Sequence, residues 1–247
     1  MKTKQEIEKI SKDIPKQLGR IDVRKCSVIF DPEHIGGIRI RQALHPEFLN
    51  HLRSEILELD EKKLLVKAPE KFKRATQNFY GLYVGSADGN RDITLEDLPI
   101  TRRLSEIYTY EIYNLMGPLG PYRLTHANSN GNSATKKSEH DVLVNSVGIH
   151  KYPAIGGEIT YHKDPNECVG LVGIFSVQGR IKFSLAASRD GHGEIPYILE
   201  PGDLFLMRAT MHLLNNTYHM GPFHKVESMG EDRYSVTFRN TNGTDGH

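Results

Sequence analysis

With only two cysteines, Cys26 and Cys168, among its 247 residues, the chain lacks the thiols for a disulfide scaffold or a cysteine-ligated metal cluster. A reducing compartment is the expectation. Charge of one sign is equally scarce. The 32 Lys and Arg stand against 31 Asp and Glu, and a formal net charge of +1 gives no global field to draw the protein to a polyanion. Nucleic acid is neither required nor excluded on that ground. No apolar run approaches the ~20 residues that span a bilayer, and MKTKQEIEKISKDIPKQLG has no apolar stretch of signal-peptide type. The expectations are therefore no membrane partner and a cytoplasmic or nuclear location. No repeat of solenoid type is present, nothing calls for an oligomer, and a monomer is expected.

What is present suffices for a substantial core: 38% of the residues are hydrophobic, and the length suits one structural domain. Two segments carry a helical period. HPEFLNHLRSEILELD (45–60) sets Phe48, Leu49, Leu52, Ile56 and Leu59 on one face, with Pro46 in the first turn, where proline is tolerated. DLPITRRLSEIYTYEIYNLMG (97–117) repeats the pattern with Leu104, Ile107, Tyr108 and Leu115 and stops at Gly117-Pro118. Between them, RATQNFYGLYVGSADGN has the look of a short aromatic strand running into a turn. The small, polar tract 125–141 is expected to be a long loop.

From about residue 142 the pattern changes to short β-type runs: VLVNSVGIHKY, GEITYHKD, VGLVGIFSV, RIKFSL, IPYIL, DLFLM, HKVE and RYSVTFR. Gly-Gly, SRDGHGE and EPGD punctuate them. The spacing predicts an antiparallel barrel or sandwich, a jelly roll among the options. The division expected is an N-terminal helical and lid region, 1–141, packed on a β core, 142–247, within one domain.

Two of these runs carry chemistry. In YHKDPNE, 161–167, a strand would project His162 and Asp164 to the same side, as two ligands of one metal must be, and Pro165 biases Asp164 toward extended geometry at a strand end. Two histidines and one carboxylate on one face of an ion is the arrangement of non-haem Fe(II) oxygenases. The second histidine must come from LMRATMHLLNNTYHMGPFHKVE, which holds His212, His219 and His224. His224 is preferred, being on the run that leads into RYSVTFR nine residues on. His219 is the alternative. In RYSVTFR itself, Arg233, Ser235, Thr237 and Arg239 share one face. That face is either solvated at an edge or turned inward, with guanidinium forks aimed at a carboxylate.

In this order, H-x-D (162–164), L-E-P-G-D (199–203), H-K-V (224–226) and R-Y-S-V-T-F-R (233–239) resemble the Fe(II)/2-oxoglutarate-dependent oxygenases, and the R-x5-R ending is most similar to their AlkB-like branch. HKYP at 150–153 is similar to the family's Asn-x-Tyr, with His150 where the family has asparagine. The resemblance covers roughly 142–240 and is weak before it, where IRIRQALHPEFLNHLRSEI resembles an entry segment and FKRATQNFYG a substrate lid.

The resemblance implies an α+β fold with a mainly β core, a double-stranded β-helix or jelly roll flanked by N-terminal helices. It implies Fe(II) on His162, Asp164 and His224, 2-oxoglutarate with its far carboxylate on Arg233, and Arg239, Tyr152 and His150 steadying the cosubstrate or its neighbours. O2 is then the oxidant, succinate and carbon dioxide are co-products, and a C–H bond of the substrate is hydroxylated. Asp164, where glycine would open a halide position, argues against halogenation. An AlkB-like core implies oxidative N-demethylation of an alkylated nucleobase stacked on Phe79, Tyr80 and Tyr83, with the basic run 61–74 as a phosphate contact or an ordinary solvated face. The alternative substrate is a small molecule or amino acid. A different class, a non-catalytic jelly-roll binding module, would explain the strands but not the inward arginines beside H-x-D.

Overall fold

The computed structural model describes residues 3–15, 35–72, 74–84, 93–116, 144, 146–165, 168–209, 211–214 and 217–241. At 72, 112–116, 169, 211–214 and 217–219 only the backbone is described. Cys26, Gly117-Pro118, the tract 125–141, and His34, His126, His140 and His247 lie outside the described residues, as does the 142 boundary.

The chain opens with α1 (Lys4–Ser11). It is started by a capping box in which Thr3 Oγ1 accepts from the Glu6 amide while the Glu6 carboxylate accepts from the Thr3 amide at 2.7 Å. Next come β1 (Ile38–Ile40) and α2 (Pro46–Glu61), whose buried face is Phe48, Leu49, Leu52, Ile56 and Leu59, the stripe expected from the periodicity. Four short strands follow, β2 (Val66–Lys67), β3 (Lys71–Phe72), β4 (Ala75–Asn78) and β5 (Tyr80–Val84), and then a 3-10 turn (Leu95–Asp97) and α3 (Pro99–Met116). The first backbone amides of α3 have no partner within their own helix. Glu55 of α2 supplies one, accepting from Ile100 N, Thr101 N and Thr101 Oγ1 at 2.9, 2.9 and 2.6 Å.

The remainder is β: β6 (Ser146–Tyr152), β7 (Glu158–His162), β8 (Cys168–Gln178), β9 (Ile181–Ala186), β10 (Ile195–Leu199), β11 (Leu204–Arg208), β12 (Met211–Leu214), β13 (Thr217–Met220), β14 (Phe223–Ser228) and β15 (Arg233–Thr241). They build two sheets. The larger runs β1-β11-β8-β15-β6-β5-β2, with β12 and β13 attached at β8, and the smaller runs β10-β9-β14-β7-β4-β3. The eight core strands divide between the sheets in a jelly-roll pattern, β6, β8, β11 and β15 in one and β7, β9, β10 and β14 in the other. Pairing is antiparallel apart from the β12–β8 contact. The N-terminal region gives strands as well as helices, since β1, β2 and β5 extend the larger sheet and β3 and β4 the smaller.

Two apolar layers result. Tyr234, Val236 and Phe238 of β15 join α1, α2 and α3 in a helix-side core, whereas Phe183, Leu185, Phe205, Met207 and Tyr152 pack between the sheets. The helices come close because Gly173 of β8 has no side chain. A Cβ there would lie 2.5 Å from the Tyr108 ring, which stacks on Phe238 at 5.1 Å. The EPGD turn is a clasp. Asp203 accepts from both Nε and Nη2 of Arg39 (2.7 and 2.6 Å) and from the amides of Gln42 and Glu200, fastening β1 to the start of β11. Among the described residues no helix is long and apolar enough to cross a membrane.

Candidate metal centre

His162 is the last residue of β7 and His224 the second of β14, and the antiparallel register sets them directly opposite each other. Their rings lie 4.1 Å apart between centroids. Asp164 follows two residues after His162, past the end of the strand, and is buried at the inner surface. His162, Asp164 and His224 each offer one ligand atom, and these atoms lie within 4.8 Å of one another. With metal–ligand bonds of about 2.1 Å, two donors on one ion stand at most about 4.2 Å apart. The three donors are thus spaced so that side-chain rotation alone would bring them onto one divalent cation.

The surroundings prepare these donors. His162 Nδ1 lies 2.9 Å from the Thr160 carbonyl oxygen, which can only accept, so Nδ1 carries the proton and Nε2 keeps the lone pair. Burial, then the neighbouring His224, holds the His162 pKa down at about 3, and burial also lowers that of His224. Both rings are neutral at physiological pH, the form a metal needs. Burial pushes the Asp164 carboxyl up, but the Arg239 guanidinium and then the histidines outweigh it, so it stays below the ordinary carboxylate range. Arg239 Nη2 donates to Asp164 Oδ1 at 2.9 Å while Oδ2 faces His224 Nε2 at 3.9 Å.

The rest of the inner face of β15 behaves differently at each position. Arg233 is 1% exposed, and its Nε and Nη2 have no hydrogen-bond partner among the described residues. Its Cζ lies 5.2 Å from the ring centroid of Tyr152, its register partner on β6. Burial lowers its pKa to about 10, which leaves it charged at neutral pH. An isolated buried guanidinium costs several kcal/mol, so this position suits an anion such as one carboxylate of a dicarboxylic acid. His150 is buried with its Nε2 3.1 Å from Tyr83 Oη and its Nδ1 3.4 Å from Thr237 Oγ1. Burial, then Arg239 and Arg233, holds its pKa at about 3. Gly148 leaves the space this ring occupies, for a Cβ there would meet His150 Cε1 at 2.7 Å.

The expected residues thus divide. His162, Asp164, His224 and Arg239 come together, Arg233 and Tyr152 form a second cluster, and His150 lies under the field of both arginines. His219 lies on β13 opposite His212, and its side chain is outside the description. The segment that resembles a lid is instead built into the sheets: Phe79 is buried against His150 and Tyr152, Tyr83 packs edge-on to His150, and Tyr80 leans on the helix-side core. Cys168 is buried in the inter-sheet core. Tyr83 and Thr237 were not expected as partners of His150. Thr237 was legible from its shared face with the arginines, but Tyr83 needed the β5–β6 pairing.

No protein-family model matches the chain, and no curated protein matches it. Solved structures do. A prolyl hydroxylase from Trichoplax adhaerens, in complex with a hypoxia inducible factor oxygen degradation domain peptide fragment, is similar with a TM-score of 0.57 and 13% identity over 96% of this chain and 91% of its own. A Pseudomonas putida prolyl-4-hydroxylase gives 0.51 and 13% over 88% and 98%. The structure of OsALKBH1 gives 0.49 and 14% over 83% and 98%. The two prolyl hydroxylases match 96% and 88% of the chain, and the chain accordingly shares their jelly-roll fold.

Proposed function

We propose that the chain is an Fe(II)- and 2-oxoglutarate-dependent dioxygenase that hydroxylates a C–H bond of its substrate. The observation that carries this is the convergence of His162, Asp164 and His224 within 4.8 Å, together with the buried Arg233 on the same strand as Arg239, whose own Nε and Nη2 (those of Arg233) have no hydrogen-bond partner among the described residues. The three donors would hold the iron, and Arg233 would receive the far carboxylate of 2-oxoglutarate. Iron and 2-oxoglutarate, when bound there, would supply activation of O2 coupled to decarboxylation of the cosubstrate. The chain's residues supply position and dryness. Arg239 keeps Asp164 ionised and turned inward, Thr160 orients His162, and Phe79, Tyr152 and the neutral His150 wall the cosubstrate off from water.

Of the two substrate classes, an alkylated nucleobase undergoing N-demethylation and a small molecule or amino acid, the second is favoured by the placement of Phe79 and Tyr83. Phe79, in the link between β4 and β5, is buried against His150 and Tyr152, and Tyr83 of β5 packs edge-on to His150, so neither ring offers an open platform to a flipped base.

The test is an anaerobic titration of metal-free protein with Fe(II) and 2-oxoglutarate, following the visible charge-transfer band. The band is expected in the wild type and in His219→Ala, and is expected to vanish in His162→Ala and His224→Ala. Arg233→Met should weaken 2-oxoglutarate by roughly 100-fold, the equivalent of one charge-assisted bidentate contact. A wild type that shows no band would return the chain to the class of binding modules. Succinate release stimulated by methylated oligonucleotides but by no metabolite would reverse the substrate preference.

A further inference from the structure

Three strand ends meet beside the candidate centre and bring together side chains that the oxygenase reading does not use. Lys163 stands between His162 and Asp164, just past the end of β7. Phe223 is the first residue of β14, immediately before His224. Arg189, in the β9–β10 connection, is anchored to the same place by its Nη1, which donates to the Tyr161 carbonyl at 3.1 Å.

Both cations rest on one ring, with Lys163 Nζ 4.6 Å and Arg189 Cζ 5.3 Å from the centroid of Phe223. The ring braces two like charges against their mutual repulsion through a cation–π attraction to each. No carboxylate lies within ion-pairing distance of either one among the described residues. The contrast with the rest of this sheet is plain: Lys182 and Lys225 share Glu194 and Glu227, and Arg180 has Glu231. Arg208, at the end of β11, adds a third positive charge acting on Lys163. An unneutralised pair of cations, held in place by an aromatic ring, with Lys163 and Phe223 each next in the chain to a metal donor, is built to receive an anion.

We propose that Lys163 and Arg189, braced on Phe223, bind an anionic group carried by a small-molecule substrate and so set which carbon reaches the centre. The inference rests on the oxygenase reading for the word substrate, but the anion site stands on its own geometry. A single acid is favoured over a polyanion. Lys182 and Lys225 of this sheet are already paired with Glu194 and Glu227, whereas a nucleic-acid backbone needs a basic stripe several phosphates long.

The experiment has two arms, both on the full chain and on Lys163→Gln/Arg189→Gln. In the first, inorganic phosphate and acetate are titrated while backbone amide resonances are followed. Shifts are expected at 163, 189 and 223, with affinity about tenfold or more weaker in the double variant. In the second, succinate release is measured with carboxylic acids, phosphate monoesters and the neutral amides of the same acids. The charged members should couple and the amides should not, and whichever of carboxylate or phosphate couples names the source. Shifts that persist in the double variant, or amides that couple as well as acids, would overturn the proposal. A loss of 2-oxoglutarate affinity in the double variant would also overturn it, by assigning the cations to the cosubstrate. So would an oligonucleotide whose binding grows with length and is abolished by the same substitutions. Failure of the oxygenase reading registers separately, as absence of the charge-transfer band, because the resonance arm requires no iron.

Discussion

His150 is a buried neutral base that the folded chain keeps from titrating. Its pKa is about 3 in the folded protein against an ordinary value of 6.5. Between those limits the unfolded chain binds a proton that the folded chain refuses, so this group destabilises the fold progressively as pH falls below 6.5 and has no such effect above it. The slope is at most about 1.4 kcal/mol per pH unit for one histidine. In metal-free protein His162 adds to it, with the same sign and window. His150→Asn should therefore show a pH dependence of urea stability shallower by about one proton between pH 6 and 4, whatever its stability at pH 7. An unchanged slope would mean that His150 is protonated in the folded state. That an asparagine stands at this position in the resembling family, and a histidine here, was visible in HKYP. That the imidazole would be clamped between Tyr83 and Thr237 was not, since those partners lie on two other strands.

At the scale of elements, helix α3 depends on a side chain from another helix. Glu55 satisfies two backbone amides and one hydroxyl at its start. Glu55→Ala leaves those donors buried without an acceptor and should lower unfolding free energy by about 2 kcal/mol, with the denaturant slope unchanged. A loss below a few tenths would show that water replaces the carboxylate. The helices themselves were legible. All five apolar residues assigned to one face of 45–60 are buried, as are Leu104, Ile107 and Tyr108. Helix α1 was passed over although its Thr3-to-Glu6 capping box is plain in the sequence. Strands β2, β3, β12 and β13 are two to four residues each, too short for a period of two to register. The aromatic run 79–83 was ambiguous because a strand and a lid have the same composition. Its pairing with β6 decided for the strand.

For the whole molecule, the helix-side core is continuous from Ile7 through α2 and α3 to Phe238. Asp60 of α2 also accepts from Lys151 Nζ and Tyr234 Oη, at 2.6 and 2.7 Å, joining α2 to two strands of the larger sheet. The chain should therefore unfold in one transition, with fluorescence and far-UV circular dichroism midpoints coinciding, and a fragment beginning at 142 should not fold alone. Two separated transitions would refute this.

The sequence by itself determined which face of α2, α3 and β15 is apolar, and the order of the chemical motifs along the chain. Both are written in local periodicity, which needs no knowledge of partners. Tertiary structure decided the rest. His224 becomes the counterpart of His162 only through the β7–β14 register, 62 residues along the chain (224 − 162), Arg239 becomes the companion of Asp164 by crossing between sheets, and Lys163 and Arg189 meet on one ring because three strands end together. Such long-range contacts are set by how sheets pair and pack, and no period along the chain encodes them.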